Sequence, residues 1–451
     1  MAGTAPISGN AVRLLRDGRE NYPAWLSAID QARVSIDFEN YIIRNDDIGR
    51  QFCEALCRKA QEGLPVRVLY DWLGCFSTPR AFWRRLRDAG AEVRCFNRPR
   101  IDLPLGWLSR NHRKSLRCDD TGFVAGLCVG DMWVGNHGQT AWRDTGIEVI
   151  GPAVVDMRAA FAQSWAQAGG NPPTVTVNAP RPHPDAPSPA DLELTAGSIS
   201  LRIIGSRPNT MGLYRFDQLI AGIARHTLWL TDAYFVGTTA YVQSLCDAAR
   251  DGVDVRLLVP GASDIPVAKA LSRAGYRPLL EAGCRVYEWD GPMLHAKTAV
   301  ADGRWARIGS SNLNIASWMG NWELDVAVED DSFAGQMQAM FLEDLENATE
   351  ILLDLGRVQT ADDRPARRGS PGRLTAGAVG LGSAVGAAIT NRRALGPAES
   401  KVMAAGGVIL VALATIAILW PLLLTVPIAL AALWVALTLL LRAWRLRRTA
   451  R

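Results

Sequence analysis

Two segments of this 451-residue chain carry the same pattern of reactive side chains. NHRKSLRCDD holds His112, Lys114 and Asp119, and LHAKTAVADG holds His295, Lys297 and Asp302; both read H-x-K-x-x-x-x-D. The chain has five histidines and only five lysines among 49 basic residues, so arginine is its ordinary cation and a repeated His/Lys pair is unusual. On a strand, positions i and i+2 face one side, which sends imidazole and ammonium into one site. A neutral imidazole is a nucleophile and proton carrier near neutral pH. An ammonium beside it binds a phosphate oxygen and meets the charge that develops at phosphorus. Two such units facing each other give one histidine to attack and one to protonate the leaving oxygen. That is covalent phosphoryl transfer, with no cofactor or metal required.

The elements that must position these residues are themselves repeated. ARVSIDFENYI, FCEALCRKAQEG, VRVLYD and LRDAGAEVRCF in the first half match ARHTLWLTDAYF, VQSLCDAARDG, VRLLVP and LLEAGCRVYEW in the second. Each set reads strand, helix, strand, helix, strand, and such alternation predicts an α/β fold with a mostly parallel, two-sided sheet. A duplication predicts a pseudo-two-fold axis with a site where the halves meet. The expected organisation is a first domain over 9–168, a linker over 169–197, a second domain over 198–355 and a tether over 356–401. The linker carries seven prolines. His183 falls within it and is expected to do no chemistry, and His226, in ARHTLWLTD, is expected to be structural.

From Val402 to Leu441 forty residues pass without a charge, twice what one helix needs to cross a bilayer core. Pro421 and Pro427 interrupt the run, which predicts a transmembrane hairpin over 402–441 followed by a basic tail over 442–451. Arginines and Lys401 flank both sides, so the positive-inside rule puts both ends, and the catalytic region, in the cytoplasm. The eight cysteines form no CxxC pair and no Cys/His cluster, which argues against a zinc module and for free thiols. A net charge of +4 gives no case for nucleic-acid binding by bulk charge.

At the paired motifs the chain resembles the phospholipase D superfamily. IDFENYI, GDMW, WRDTGIEVIGP from Trp142 and IGSSNLN from Ile308 resemble bacterial cardiolipin synthases in particular, over about Gly9 to Leu353. The resemblance implies a duplicated α/β fold, mixed or parallel sheets with flanking helices, and a phosphohistidine intermediate in a site shared by the halves. It implies His112 as nucleophile, His295 as acid and later base, and Lys114 and Lys297 as phosphate ligands. Ser310 and Asn312 would line the second half, Glu323 would orient a histidine, and Asp144 would play the matching part in the first half. Asp119 and Asp302 would brace the site rather than react. Trp107, just ahead of the first motif, is a candidate interfacial anchor. One departure stands out: AGLC places Cys128 where the family pattern has asparagine, and a thiol is a poor substitute for an amide.

The activity implied is a membrane-anchored phosphatidyltransferase of the bacterial inner membrane that makes cardiolipin from two phosphatidylglycerols. Its partners are phospholipids and the membrane, and with both motifs in one chain no dimer is required. Phospholipase D hydrolysis is the same chemistry with water as acceptor. A phosphodiesterase on nucleic acid and a non-catalytic binder of anionic lipid are the remaining alternatives.

Overall fold

The structure, a computed structural model, describes residues 5–99, 109–135, 138, 140–171 and 197–353, with isolated positions between 415 and 437. The central linker, the tether, Trp107, His183, the basic tail and most of the expected hairpin lie outside the described residues. Among the described residues no helix is long and apolar enough to cross a membrane.

In the first half the strands are β1 (Ile7–Arg16), β2 (Ile36–Asn40), β3 (Val66–Asp71), β4 (Glu92–Phe96), β5 (Ser115–Cys118), β6 (Thr121–Ala125) and β7 (Thr145–Ile150). The second half repeats them as β8 (Ile199–Ser206), β9 (Thr227–Thr231), β10 (Asp254–Pro260), β11 (Arg285–Trp289), β12 (Thr298–Ala301), β13 (Trp305–Gly309) and β14 (Glu323–Glu329). An extra edge strand, β15 (Ala348–Ile351), lies antiparallel to β11. The strands run in the order β15-β11-β10-β9-β12-β13-β14-β8-β1-β7-β6-β5-β2-β3-β4. That order reads the same from β1 outward as from β8 outward, and β1 and β8 pair antiparallel, as a two-fold relation demands.

The sheet is mixed rather than mostly parallel. Among the described strands, only β2-β3-β4 and β9-β10-β11 run parallel; the other strand pairings are antiparallel. The reason is local. The motif aspartates sit in tight turns, Asp119 at φ 53° between β5 and β6 and Asp302 at φ 53° between β12 and β13. Aspartate tolerates the left-handed region that such hairpin turns need. The chain therefore doubles back where a crossover helix would have kept it parallel.

Helix starts are set by side-chain caps: Asp46 accepts from Gly49 N at 2.9 Å, Thr238 from Tyr241 N at 3.3 Å and Asp330 from Phe333 N at 2.8 Å. Each half has its own core, around Trp25, Phe38 and Phe52 in one and Leu245, Leu257 and Trp318 in the other. A further apolar cluster joins Val124, Ile147 and Met157 of the first half to Leu201, Ile308, Val326 and Met337 of the second. Fully burying such a side chain is worth about 1.5–3 kcal/mol, so this shared cluster makes the halves one compact unit.

Candidate active site

Both histidines lie in extended segments just ahead of β5 and β12, not on the strands themselves. Their backbones are held by the other half. The His112 amide donates to the Trp322 carbonyl at 2.9 Å, and the His295 amide donates to the Arg143 carbonyl at 2.7 Å. Trp322 and Arg143 are the residues before Glu323 and Asp144, at the starts of β14 and β7. One backbone bond therefore sets each imidazole beside a carboxylate.

The pairing is crossed between halves. His112 Nδ1 lies 3.0 and 3.1 Å from the Glu323 oxygens, and His295 Nδ1 lies 2.8 Å from Asp144 Oδ2. Asp144 thus serves the second half's histidine, not its own half's. A carboxylate can only accept, so Nδ1 carries the proton in each case and Nε2 keeps its lone pair for chemistry. Glu323 also accepts from Ser310 Oγ at 2.5 Å and Asn321 Nδ2 at 3.2 Å. Asp144 accepts from Trp133 Nε1 at 3.0 Å and from the Thr145 amide at 2.8 Å.

The two carboxylate seats differ in packing. Strand register makes Gly126 the counterpart of Ser310 and Asp144 that of Glu323. A Cβ at Gly126 would overlap the Asp144 carboxylate, so glycine there lets the shorter acid sit close. Burial alone would raise Glu323, but His112 and Lys114 hold it below its ordinary value. Asp144 is likewise held down against its burial, by His295 and Lys297.

Lys114 donates to the His112 carbonyl at 2.6 Å, and Lys297 donates to that of His295. Both ammoniums are buried and face aromatic rings, Lys114 at 5.2 Å from Tyr41 and Lys297 at 5.9 Å from Tyr234. Burial lowers both, Lys297 to about 8. Burial also lowers both histidines, His295 to about 3 with Lys297 adding to the effect and Asp144 opposing it. Lys297 acts on His112 as well, and Lys114 on His295, as one shared site requires.

The remaining expected residues fall into place unevenly. Asp119 accepts from the amides of Arg33, Val34 and Ser35 at 2.7–2.9 Å, and Asp302 from those of Arg225, His226 and Thr227. They fasten the turns that lead into β2 and β9, at the strand ends opposite the histidines. Asn312 is buried, its amide hydrogen donates to Ser317 Oγ at 3.1 Å, and its side-chain oxygen has no partner among the described residues. Cys128 is its register counterpart, fully buried, with burial pushing the thiol up and Lys114 opposing it. His226 is exposed in the turn fastened by Asp302.

Sequence reasoning missed four supporting residues. Tyr41 packs edge-on against His112 at 4.9 Å and Tyr234 against His295 at 5.9 Å. Arg143 bonds both oxygens of Asp344 at 2.8 Å and so pins the carbonyl that holds His295. Arg113 spans the halves to the carbonyls of Ala160, Ser206 and Glu323. Arg113 and Arg143 touch the motifs in sequence, which was the available signal; for the tyrosines only the strand ends pointed there.

Known proteins resemble this chain at two levels. Residues 219–345 match the family model described as "Cardiolipin synthase, PLD-like domain". A cardiolipin synthase from Alkalihalophilus pseudofirmus is 33% identical over 360 residues, covering 78% of this chain and 70% of the relative. The chain belongs to the cardiolipin synthase family. Cardiolipin synthase A of Pseudomonas putida gives a similar match, 33% identical and covering 81% of this chain and 75% of the relative. The fold extends further than the family. A phosphatidylserine synthase from Haemophilus influenzae superposes with a TM-score of 0.59 at 16% identity, over 75% of this chain and 87% of that one. A polyphosphate kinase from Porphyromonas gingivalis does so at 0.50 and 15% identity, over 79% of this chain and 53% of that one. At such identities these two speak to the fold alone.

Proposed function

We propose that the protein is a membrane-anchored phosphatidyltransferase that makes cardiolipin from phosphatidylglycerol. The observation that carries this reading is the pair of crossed histidine–carboxylate contacts flanked by two buried lysines. In the first step His112 Nε2 attacks the phosphorus of one phosphatidylglycerol. A P–N bond forms, the P–O bond to glycerol breaks, and glycerol leaves with a proton from His295. In the second step a glycerol hydroxyl of another phosphatidylglycerol gives its proton to His295 and attacks phosphorus. The P–N bond breaks, and cardiolipin is released. Glu323 stabilises the cation that forms on His112, and Asp144 does the same for His295. Lys114 and Lys297 meet the phosphoryl oxygens, with Asn312 as a further donor.

The proton on His295 needs a source, because burial and Lys297 keep that imidazole neutral in the free enzyme. A phosphodiester bound between the two ammoniums offsets their field and raises His295, so proton uptake accompanies substrate binding. The apolar run over 402–441 is read as the membrane anchor, with the catalytic region on the cytoplasmic side of the inner membrane.

The test is product analysis of purified protein in phosphatidylglycerol vesicles. Cardiolipin and glycerol in equal amounts support transfer. Phosphatidic acid and glycerol would make the protein a hydrolase with the same covalent step. No turnover of phospholipid, with cleavage of labelled DNA, would overturn the reading.

A further inference from the structure

The loops that leave the sheet on the histidine side carry exposed apolar side chains around both tyrosines. After β3, Leu73 is exposed and Phe76 is 72% exposed. After β9, β10 and β13 come Val236, Ile265 and Ile315, the last 52% exposed. These loops are tied to the site. Cys75 Sγ accepts from the Ile43 amide at 3.2 Å, and Thr78 donates to the Ile43 carbonyl, two residues beyond Tyr41. Tyr234 donates to Asp264 at 2.7 Å, beside Ile265, and Asn314 donates to the Tyr234 carbonyl at 2.9 Å, beside Ile315. Val236 forms a backbone bridge to Asn314, its amide donating to the Leu313 carbonyl at 3.3 Å.

Single exposed apolar residues are ordinary on a soluble surface, and Val34, Val155, Ile223 and Leu352 are of that kind, each in a different segment of the chain. Five on four loops that frame one catalytic mouth are not ordinary. Exposed Arg80 and Arg207 stand at the same end, after the β3 loop and after β8. Apolar loops at an end of the sheet that also carries exposed arginines match acyl chains beneath anionic headgroups.

We infer that these loops form a lipid-docking rim: Leu73 and Phe76 on the Tyr41 side, and Val236, Ile265 and Ile315 on the Tyr234 side, enter an anionic bilayer. The inference rests on the phospholipid reading of the site. It adds that the mouth is pressed against the membrane, so a phosphatidyl group enters without its acyl chains crossing water. An apolar anchor alone would leave the orientation of the mouth free; the rim fixes it.

The full chain in phosphatidylglycerol proteoliposomes tests this. Phe76→Cys and Ile315→Cys, labelled with an environment-sensitive fluorophore, should shift to the blue and brighten, whereas labelled Val155→Cys should not. Phe76→Asp and Ile315→Asp should each cut turnover of vesicle phosphatidylglycerol about tenfold, yet leave turnover of monomeric short-chain phosphatidylglycerol within about twofold. Rim labels that stay in water while the wild type turns over vesicle lipid would overturn the rim. So would rim labels whose shift depends on protein concentration without lipid, because the occupant would then be a second copy. Rim labels that enter the bilayer in a protein that turns over no lipid would support the rim and count against the proposed activity alone.

Discussion

Replacing Glu323 by glutamine keeps the side-chain shape but removes the charge that faces His112. In the native site Glu323 accepts a hydrogen bond from His112 Nδ1 at 3.0 Å and another from the Ser310 hydroxyl at 2.5 Å. The glutamine oxygen can still accept from Nδ1, with its amide hydrogens turned to Ser310, so the imidazole stays in place. What is lost is attraction to the cation that forms when His112 bonds to phosphorus. Two unit charges about 4 Å apart at an effective dielectric of about 20 attract by about 4 kcal/mol. Since about 1.4 kcal/mol is a factor of ten, kcat should fall about a thousandfold in Glu323→Gln. The cation is absent from the ground state, so KM should stay within about threefold. The assay is the initial rate of cardiolipin formation in phosphatidylglycerol proteoliposomes, with thermal unfolding as the control for folding. A folded Glu323→Gln protein that retains a tenth or more of wild-type kcat would refute the electrostatic role given to the crossed pair.

Asp144→Asn should lose kcat on a similar scale in the same assay, because Asp144 faces His295 at 2.8 Å. Asp302→Ala should behave differently: it loses three amide hydrogen bonds and places alanine at φ 53°, costing roughly 2–4 kcal/mol of stability while activity per folded molecule stays within about threefold. A denaturant titration and an active-fraction count separate the two effects. The His295 contribution to stability should also fall on acidification below pH 6.5, against the buried carboxylates Asp232, raised to about 7, and Asp325, raised to about 6, which gain stability over the same range. The unfolded chain takes up protons at the ordinary histidine value, whereas buried His295 waits until about 3, so roughly 1 kcal/mol is lost by about pH 5.5. Tryptophan-detected melting of the wild type and His295→Gln between pH 8 and 5 isolates this contribution, and a stability difference between the two that does not change with pH would contradict it. Cys128 should resist alkylation in the folded protein, because it is fully buried and its thiol is pushed up. Peptide mass spectrometry after iodoacetamide treatment, with and without denaturant, measures that directly.

Much of this site was legible because its chemistry is local in sequence. A histidine and a lysine two apart are one short reading frame, and repetition in a duplicated chain singled them out. The duplication itself was legible from matching strand and helix patterns, and the mirror order of the strands follows from it. What sequence could not give was the crossing. Glu323 and Asp144 were marked as orienting residues, but which histidine each serves depends on the antiparallel meeting of β1 and β8 and the bridges that follow. Strand and helix alternation alone pointed to a mostly parallel sheet, and only the family resemblance allowed a mixed one. The short buried strands β5, β6, β12 and β13 look like any apolar run, and only the aspartate turns between them reveal a hairpin. The tyrosines were hidden because their partners lie far away in the chain. Tyr41 and His112 are 4.9 Å apart in space, a contact that no periodicity encodes.

The most direct test of the central claim is the lipid profile of cells that lack their own cardiolipin synthases and express this protein, Glu323→Gln, His112→Ala or His295→Ala. One composite site predicts cardiolipin with the wild type, only traces with Glu323→Gln, and none with either histidine variant, all four proteins being present at equal levels in the membrane. Full cardiolipin production by either histidine variant would show that the two motifs do not work as one site.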